Sequence, residues 1–185
     1  MASLPKSGVV TYEEWLRMPE VQDAIEEVVN GEIRVMPPNK WNHSEIVQNL
    51  YDVVAPQVDR RQTRVIVANF GLIISKSPLT SRVPDLAVFD LSTMVVQDGY
   101  IHSAPQLAVE VLSPANTRRE REEKLNDYAA IGTPEVWVIS PEAKTVEILL
   151  LEDGRLRRST ILAEGTLKPV RFPNVEIRIA DIWPA

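Results

Sequence analysis

Two acids and one lysine stand where they could do chemistry. Glu110 interrupts the apolar run Leu107-Ala108-Val109-Glu110-Val111-Leu112, and Asp85 follows a proline in Val83-Pro84-Asp85-Leu86-Ala87-Val88. A carboxylate inside a buried strand is costly unless it is paired, metal-bound or neutral. Side chains alternate along a strand, so Glu110 shares a face with Ala108 and Leu112, and Asp85 shares one with Ala87 and Phe89. If the two strands are neighbours with those faces aligned, both carboxylates converge above a pair of alanines. Such a shallow acidic spot suits a hard divalent cation, because Mg²⁺ takes one or two carboxylates together with water and substrate phosphate. The plainer alternative makes Asp85 the first residue of a strand and Glu110 a solvated side chain.

The lysine is Lys124. A helix expected over 116–131, capped by Asn116 and ended by Gly132, puts Lys124, Tyr128 and Ile131 within one narrow arc, with Leu125 and Ala129 beside them. Only Ser113-Pro114-Ala115 separates Glu110 from the start of this helix. Lys124 can therefore fold back over the two acids. Its alternative is the usual one for lysine, an apolar stem with the ammonium extended into water.

Several elements must hold these groups. Thr11 and Glu14 form a capping-box pattern at a short helix. Asn30-Gly31 between Ile25–Val29 and Glu32–Met36 is a strong hairpin signal, ended by Pro37-Pro38. Asn42 with Glu45 marks a second helix start, and Ile46, Val47, Leu50, Tyr51, Val54 and Val58 recur at helical spacing to about Arg60, with a bend expected at Pro56. Strands are expected over Val65–Ile74, Val83–Phe89, Gln106–Leu112, Glu135–Ser140, Thr145–Leu151 and Val175–Ile179. The order predicts an α/β (α+β) domain with one mixed central sheet flanked by at least two helices. Residues 1–10 are expected to be flexible, with a single domain over 11–185.

Composition narrows the chemistry. The 185 residues contain no cysteine, which removes disulfides, thiolate metal sites and cysteine nucleophiles. Neither a Walker A nor a G-x-G-x-x-G pattern occurs, which argues against either nucleotide-binding device. No apolar run reaches the ~20 residues of a membrane span, and the N-terminus lacks the apolar stretch of a secretory signal, so a soluble cytoplasmic protein with no membrane partner is expected. The net charge of −6 argues against a broad basic face for nucleic acid. Arginines do cluster locally, at Arg60-Arg61, at Arg118, Arg119 and Arg121, and at Arg155, Arg157 and Arg158.

Taken in order, several segments resemble the Uma2 family of endonucleases (formerly DUF820) in the PD-(D/E)XK nuclease superfamily. They are Glu27-Val28-Val29-Asn30-Gly31-Glu32, Met36-Pro37-Pro38 with His43, Val83-Pro84-Asp85-Leu86-Ala87-Val88, Leu107 through Pro114, Lys124 with Tyr128, and Gly132-Thr133-Pro134-Glu135-Val136-Trp137. The resemblance implies a restriction-endonuclease-like fold and a metal-dependent site hydrolysing DNA phosphodiesters. On it, Asp85, Glu110 and the Val111 carbonyl ligate Mg²⁺ or Mn²⁺. Lys124 orients or deprotonates a water or stabilises developing charge, and Glu27 either joins the metal shell through water or holds Lys124. His43 and Tyr128 are auxiliary candidates. Nucleases of this superfamily often pair, so a homodimer is expected. A rival within the same fold is a catalytically silent binding or assembly module, which the acidic charge favours. The sequence departs from the pattern at Leu112, where the classical lysine would stand, and at Glu120, Val136 and Ser140.

Overall fold

The computed structural model describes residues 9–19, 24–67, 70–114 and 117–184. In chain order, α1 (Tyr12–Trp15) leads into the hairpin β1 (Ile25–Val29) and β2 (Glu32–Met36), then α2 (Trp41–Val54). Next come β3 (Thr63–Val67), β4 (Leu72–Lys76), β5 (Leu79–Arg82), β6 (Leu86–Asp90), β7 (Val96–Gln97), β8 (Tyr100–Ile101) and β9 (Leu107–Val111). After α3 (Arg118–Ile131) follow β10 (Glu135–Ser140), β11 (Thr145–Glu152), β12 (Arg155–Leu162), β13 (Thr166–Leu167) and β14 (Ile177–Arg178).

Local signals account for many of these boundaries. Asn30 and Gly31 both take positive φ, 51° and 81°, the left-handed pair that a tight hairpin turn requires. Thr11 with Glu14 and Thr117 with Glu120 each form a complete capping box, so Glu120 serves the start of α3. Thr117 is the N-cap of α3, while Asn116 lies outside the described residues. Gly132 closes the helix at φ 91°. By contrast, α2 starts at Trp41 without any side-chain cap, so Asn42 does not cap it as expected. It ends at Val54, and Pro56 sits in a 3-10 turn over Ala55–Gln57, where its missing N–H is tolerated. Val10 is buried and its N–H bonds the Gly31 carbonyl at 2.7 Å, so packing against the hairpin begins before α1.

The fold is mixed α and β, with two six-stranded sheets in place of one central sheet, and a small ribbon of β13 and β14. The first sheet runs β2-β1-β5-β4-β8-β7 and the second β12-β11-β10-β9-β6-β3. One run read as a single strand is thereby divided, and another starts later than expected. Val65–Ile74 contributes β3 to one sheet and β4 to the other. The stretch around Val83-Pro84 is the crossing between β5 and β6, as befits a proline that cannot donate to a ladder. The long edge strand β12, paired with β11 across Asp153-Gly154, was not anticipated.

Helices cover both faces of the second sheet. Ile46, Val47, Leu50 and Val54 of α2 pack with Leu86, Val88, Leu107, Val109 and Val111. On the other face Ala87, Phe89, Ala108, Val136 and Val138 pack with Tyr128 of α3. Alternation along β6 and β9 therefore decides which helix each side chain meets.

Candidate active site

The crossing from β5 to β6 brings the candidate residues to the junction of the two sheets. β6 and β9 are antiparallel with Leu86 opposite Val109 and Ala87 opposite Ala108. Asp85 immediately precedes Leu86 and Glu110 immediately follows Val109, so both acids stand at the same end of this ladder. The facing alanines, both fully buried, lie on the α3 side of the sheet. Asp85 Oδ2 accepts the Val111 N–H at 2.7 Å, which ties the end of the crossing to the end of β9.

Glu110 points at α3, with its side chain 13% exposed, so it is not the solvated glutamate of the plainer alternative. Its Oε2 accepts from Lys124 Nζ at 2.8 Å, and its Oε1 accepts from the Tyr128 hydroxyl. Burial pushes the Glu110 carboxyl up to about 7; Lys124 opposes this, while the neighbouring Asp85 and Glu27 charges add to it. Tyr128 is raised well above the ordinary tyrosine range, chiefly by burial and then by the Glu110 charge, so it remains a donor.

Lys124 lies inside. Its ammonium donates to Glu110, sits 3.1 Å from Glu27 Oε1, and reaches the Val83 carbonyl at 3.5 Å. The ammonium thus has two hydrogen bonds, to Glu110 and to the Val83 carbonyl, and an ion pair with Glu27. Burial would lower its pKa, but Glu110, Glu27 and Asp85 outweigh that effect and raise it above the ordinary lysine value. Lys124 is thus a fixed cation, with no snorkelling geometry.

Glu27 is 2% exposed, against the alternative of an exposed strand glutamate. Its Oε1 takes the Val83 N–H at 3.0 Å as well as Lys124, and its Oε2 takes Arg82 Nη1 at 2.8 Å. Burial raises its pKa, but Lys124 and Arg82 more than reverse this, so the carboxylate is held ionised. Arg82, on β5 and itself 2% exposed, also donates through Nε to Asp127 Oδ2 of α3 at 2.7 Å. The sequence reading missed both Arg82 and Asp127. Its available signal was an arginine directly before Val83-Pro84-Asp85, a position that carries no message until the strand is known to be buried.

His43 stands beside Asp85. Its Nε2 is 3.2 Å from Asp85 Oδ2 and 3.1 Å from the Val111 carbonyl. Burial lowers its pKa, but Asp85 and then Val111 prevail, leaving it raised. Trp137 is fully buried core, and its indole donates to Glu135 at 2.7 Å. At the remaining departures, Val136 is core and Ser140 Oγ accepts the Ala143 N–H at 3.2 Å.

The donor set can be tested against a metal. Two carboxylates and a main-chain carbonyl are hard oxygen ligands, the type Mg²⁺ prefers, and the imidazole nitrogen is drawn to the point that Asp85 Oδ2 and the Val111 carbonyl share. Among the described residues no three His, Asp or Glu side chains converge closely enough to hold an ion as they stand. Both Glu110 oxygens are engaged by Lys124 and Tyr128. Because Mg²⁺ needs few protein ligands and keeps several waters, the residues fit such an ion.

The family model for Uma2, described as "Putative restriction endonuclease", matches residues 12–180. The chain belongs to the Uma2 family. A crystal structure described as "a putative nuclease belonging to DUF820" from Anabaena variabilis ATCC 29413 superposes with a TM-score of 0.76 at 22% identity, covering 94% of this chain and 97% of that one. At that identity the likeness speaks for the fold. No curated protein matches the chain. Among the described residues of this Uma2 chain, no helix is long and apolar enough to cross a membrane.

Proposed function

We propose that this Uma2 chain is a metal-dependent endonuclease that hydrolyses DNA phosphodiester bonds through a PD-(D/E)XK-type site. One observation carries the reading: Asp85, Glu110 and Lys124 come from a sheet crossing, a strand and a helix, and meet at one junction. Asp85, Glu110 and the Val111 carbonyl would hold Mg²⁺ or Mn²⁺. When bound, the ion supplies Lewis-acid polarisation of a phosphodiester oxygen and makes a water more acidic.

The protein groups do the rest. Lys124, held protonated, is a poor general base and serves as a preorganised donor to charge developing on the phosphate. Glu27, with both oxygens engaged by Lys124, Val83 and Arg82, acts as the partner holding Lys124 and leaves the metal shell to the other two acids. His43 orients Asp85 and the Val111 carbonyl, and Tyr128 orients Glu110.

The test is cleavage of plasmid, single-stranded and branched DNA in Mn²⁺ or Mg²⁺, with Asp85→Asn and Glu110→Gln as controls that keep shape and remove ligand charge. Metal-dependent cutting lost in both variants supports the reading. Cutting that survives Asp85→Asn undiminished places the activity elsewhere. A silent binding module is the second reading, favoured by the net charge of −6. It gains if wild type cleaves no substrate.

A further inference from the structure

Arg82 bonds neither Asp85 nor Glu110, yet it bonds Glu27, which holds the Lys124 ammonium, and Asp127 on the helix that carries Lys124. We infer that Arg82 is a positioning residue for Lys124, acting through Glu27 on the ammonium and through Asp127 on the helix that carries it. The inference rests on the proposed nuclease reading for its kinetic consequences, but not for its structural ones.

The argument starts from burial. Arg82 is 2% exposed, and a buried guanidinium without a matching anion is untenable. Its two anions come from different elements: Glu27 from β1 at 2.8 Å and Asp127 from α3 at 2.7 Å. A guanidinium is a rigid planar fork, so a bond from Nη1 to one acid and from Nε to the other fixes the hairpin and the helix relative to one another. Asp127 stands three residues after Lys124, one helical turn along the same helix. Glu27 in turn presents Oε1 to the ammonium at 3.1 Å while Arg82 and the Val83 N–H hold the carboxylate still. The stem of Lys124 is thus set from the helix side and its head from the hairpin side, by one residue.

Without Arg82, Glu27 keeps one strong donor other than Lys124, the Val83 amide, and is free to turn toward the ammonium. Glu27 and Glu110 would then compete for Lys124. A lysine drawn toward Glu27 no longer meets the reacting phosphate in register, and a misplacement on the scale of 1 Å is enough to cost ~10²-fold in rate. Outer partners of this type usually contribute ~10–100-fold to activity.

The experiment is a double-mutant cycle with two readouts. Arg82→Gln, Glu27→Gln and the double variant are assayed for kcat and KM in Mn²⁺, and the Lys124 ammonium is followed by ¹⁵N NMR, assigned by its disappearance in Lys124→Ala. Glu147→Gln, which removes a largely buried carboxylate from its ion pairs in the second sheet, controls for loss of stability. Arg82→Gln is expected to lower kcat ~10–100-fold with KM little changed, and to lose the slowly exchanging ammonium signal. The double variant should be no slower than the slower single one, because both act through the same contact. Glu147→Gln should keep kcat and the signal. An Arg82→Gln protein with wild-type kcat and an intact signal overturns the inference, as does a double variant whose loss is the product of the two single losses. If Arg82→Gln does not fold, Arg82→Lys carries the test: it keeps the buried charge but cannot fork to both acids, so an undiminished kcat and signal overturn the inference there too. Should wild type cleave nothing, the nuclease reading falls while the ammonium signal still decides the role of Arg82.

Discussion

Two glutamates lie in one lateral row of the second sheet, and they are treated in opposite ways. Val138 of β10 is the register partner of Glu110 on one side and of Glu147 on the other, so both acids project from the same face toward α3. Glu147 is saturated by cations. Arg121 of α3 takes one oxygen and Arg158 of β12 takes the other at 2.6 Å. Two guanidiniums meet one carboxylate, and no negative charge is left over. Glu110 has the reverse balance: the lysine paired with it, Lys124, also feels Glu27 and Asp85. Similar burial, 13% against 11% of the side chain, thus yields a structural ion pair in one place and an excess of negative charge in the other. An anionic surplus in a low-dielectric site is what a divalent cation would relieve. The difference lies in the neighbours, since the residue type, face and depth are the same.

Substitution breaks this comparison most sharply in activity. Asp85→Asn and Glu110→Gln are each expected to abolish cleavage, and Lys124→Ala to lower the rate at least ~10²-fold, the usual scale for one transition-state donor. Glu147→Gln should cleave as wild type does. A plasmid assay in Mn²⁺ with the four variants side by side settles it, and equal losses at Glu110 and Glu147 would erase the distinction.

Metal binding gives the next largest effect. A ligand at a hundred times its Kd stabilises the folded state by about 2.7 kcal/mol, about 5–10 °C in Tm for a chain of this size. Mn²⁺ should raise the Tm of wild type and of Glu147→Gln, and leave that of Asp85→Asn unmoved. Differential scanning fluorimetry with and without chelator is the measurement.

A smaller effect separates the two acids by stability alone. Glu147→Gln takes the counter-charge from two arginines and should cost ~1–3 kcal/mol in chelator at any pH above the carboxylate range. Glu110→Gln should behave differently, because the Glu110 carboxyl rises from 4.5 to about 7 on folding. The folded state then binds more protons, so the stability this group contributes is complete below about pH 4.5 and is lost as pH rises through 7. The Tm of wild type minus that of Glu110→Gln should therefore fall between pH 5 and 8. Urea or thermal melts across that range test the sign, and a difference that grows with pH would refute the raised pKa.

How far the amino-acid sequence reaches is visible residue by residue. Asn30-Gly31, the capping box of Thr11 with Glu14, Gly132 and the bounds of β10 were readable because each depends on dihedral preference or on a partner three residues away. The facing of Ala87 and Ala108 followed from strand alternation once β6 and β9 were taken as neighbours. The ordered family segments carried the candidate acids and Lys124. Only the tertiary structure decided that Val65–Ile74 divides between two sheets, that β12 extends the second sheet, that Glu27 is buried, and that Arg82 joins Glu27 to Asp127. The physical reason is range. A turn or cap is settled within a few residues of chain, whereas the fate of a buried charge depends on which counter-charge the fold delivers to it, and Arg82 reaches Glu27 across 55 residues of sequence.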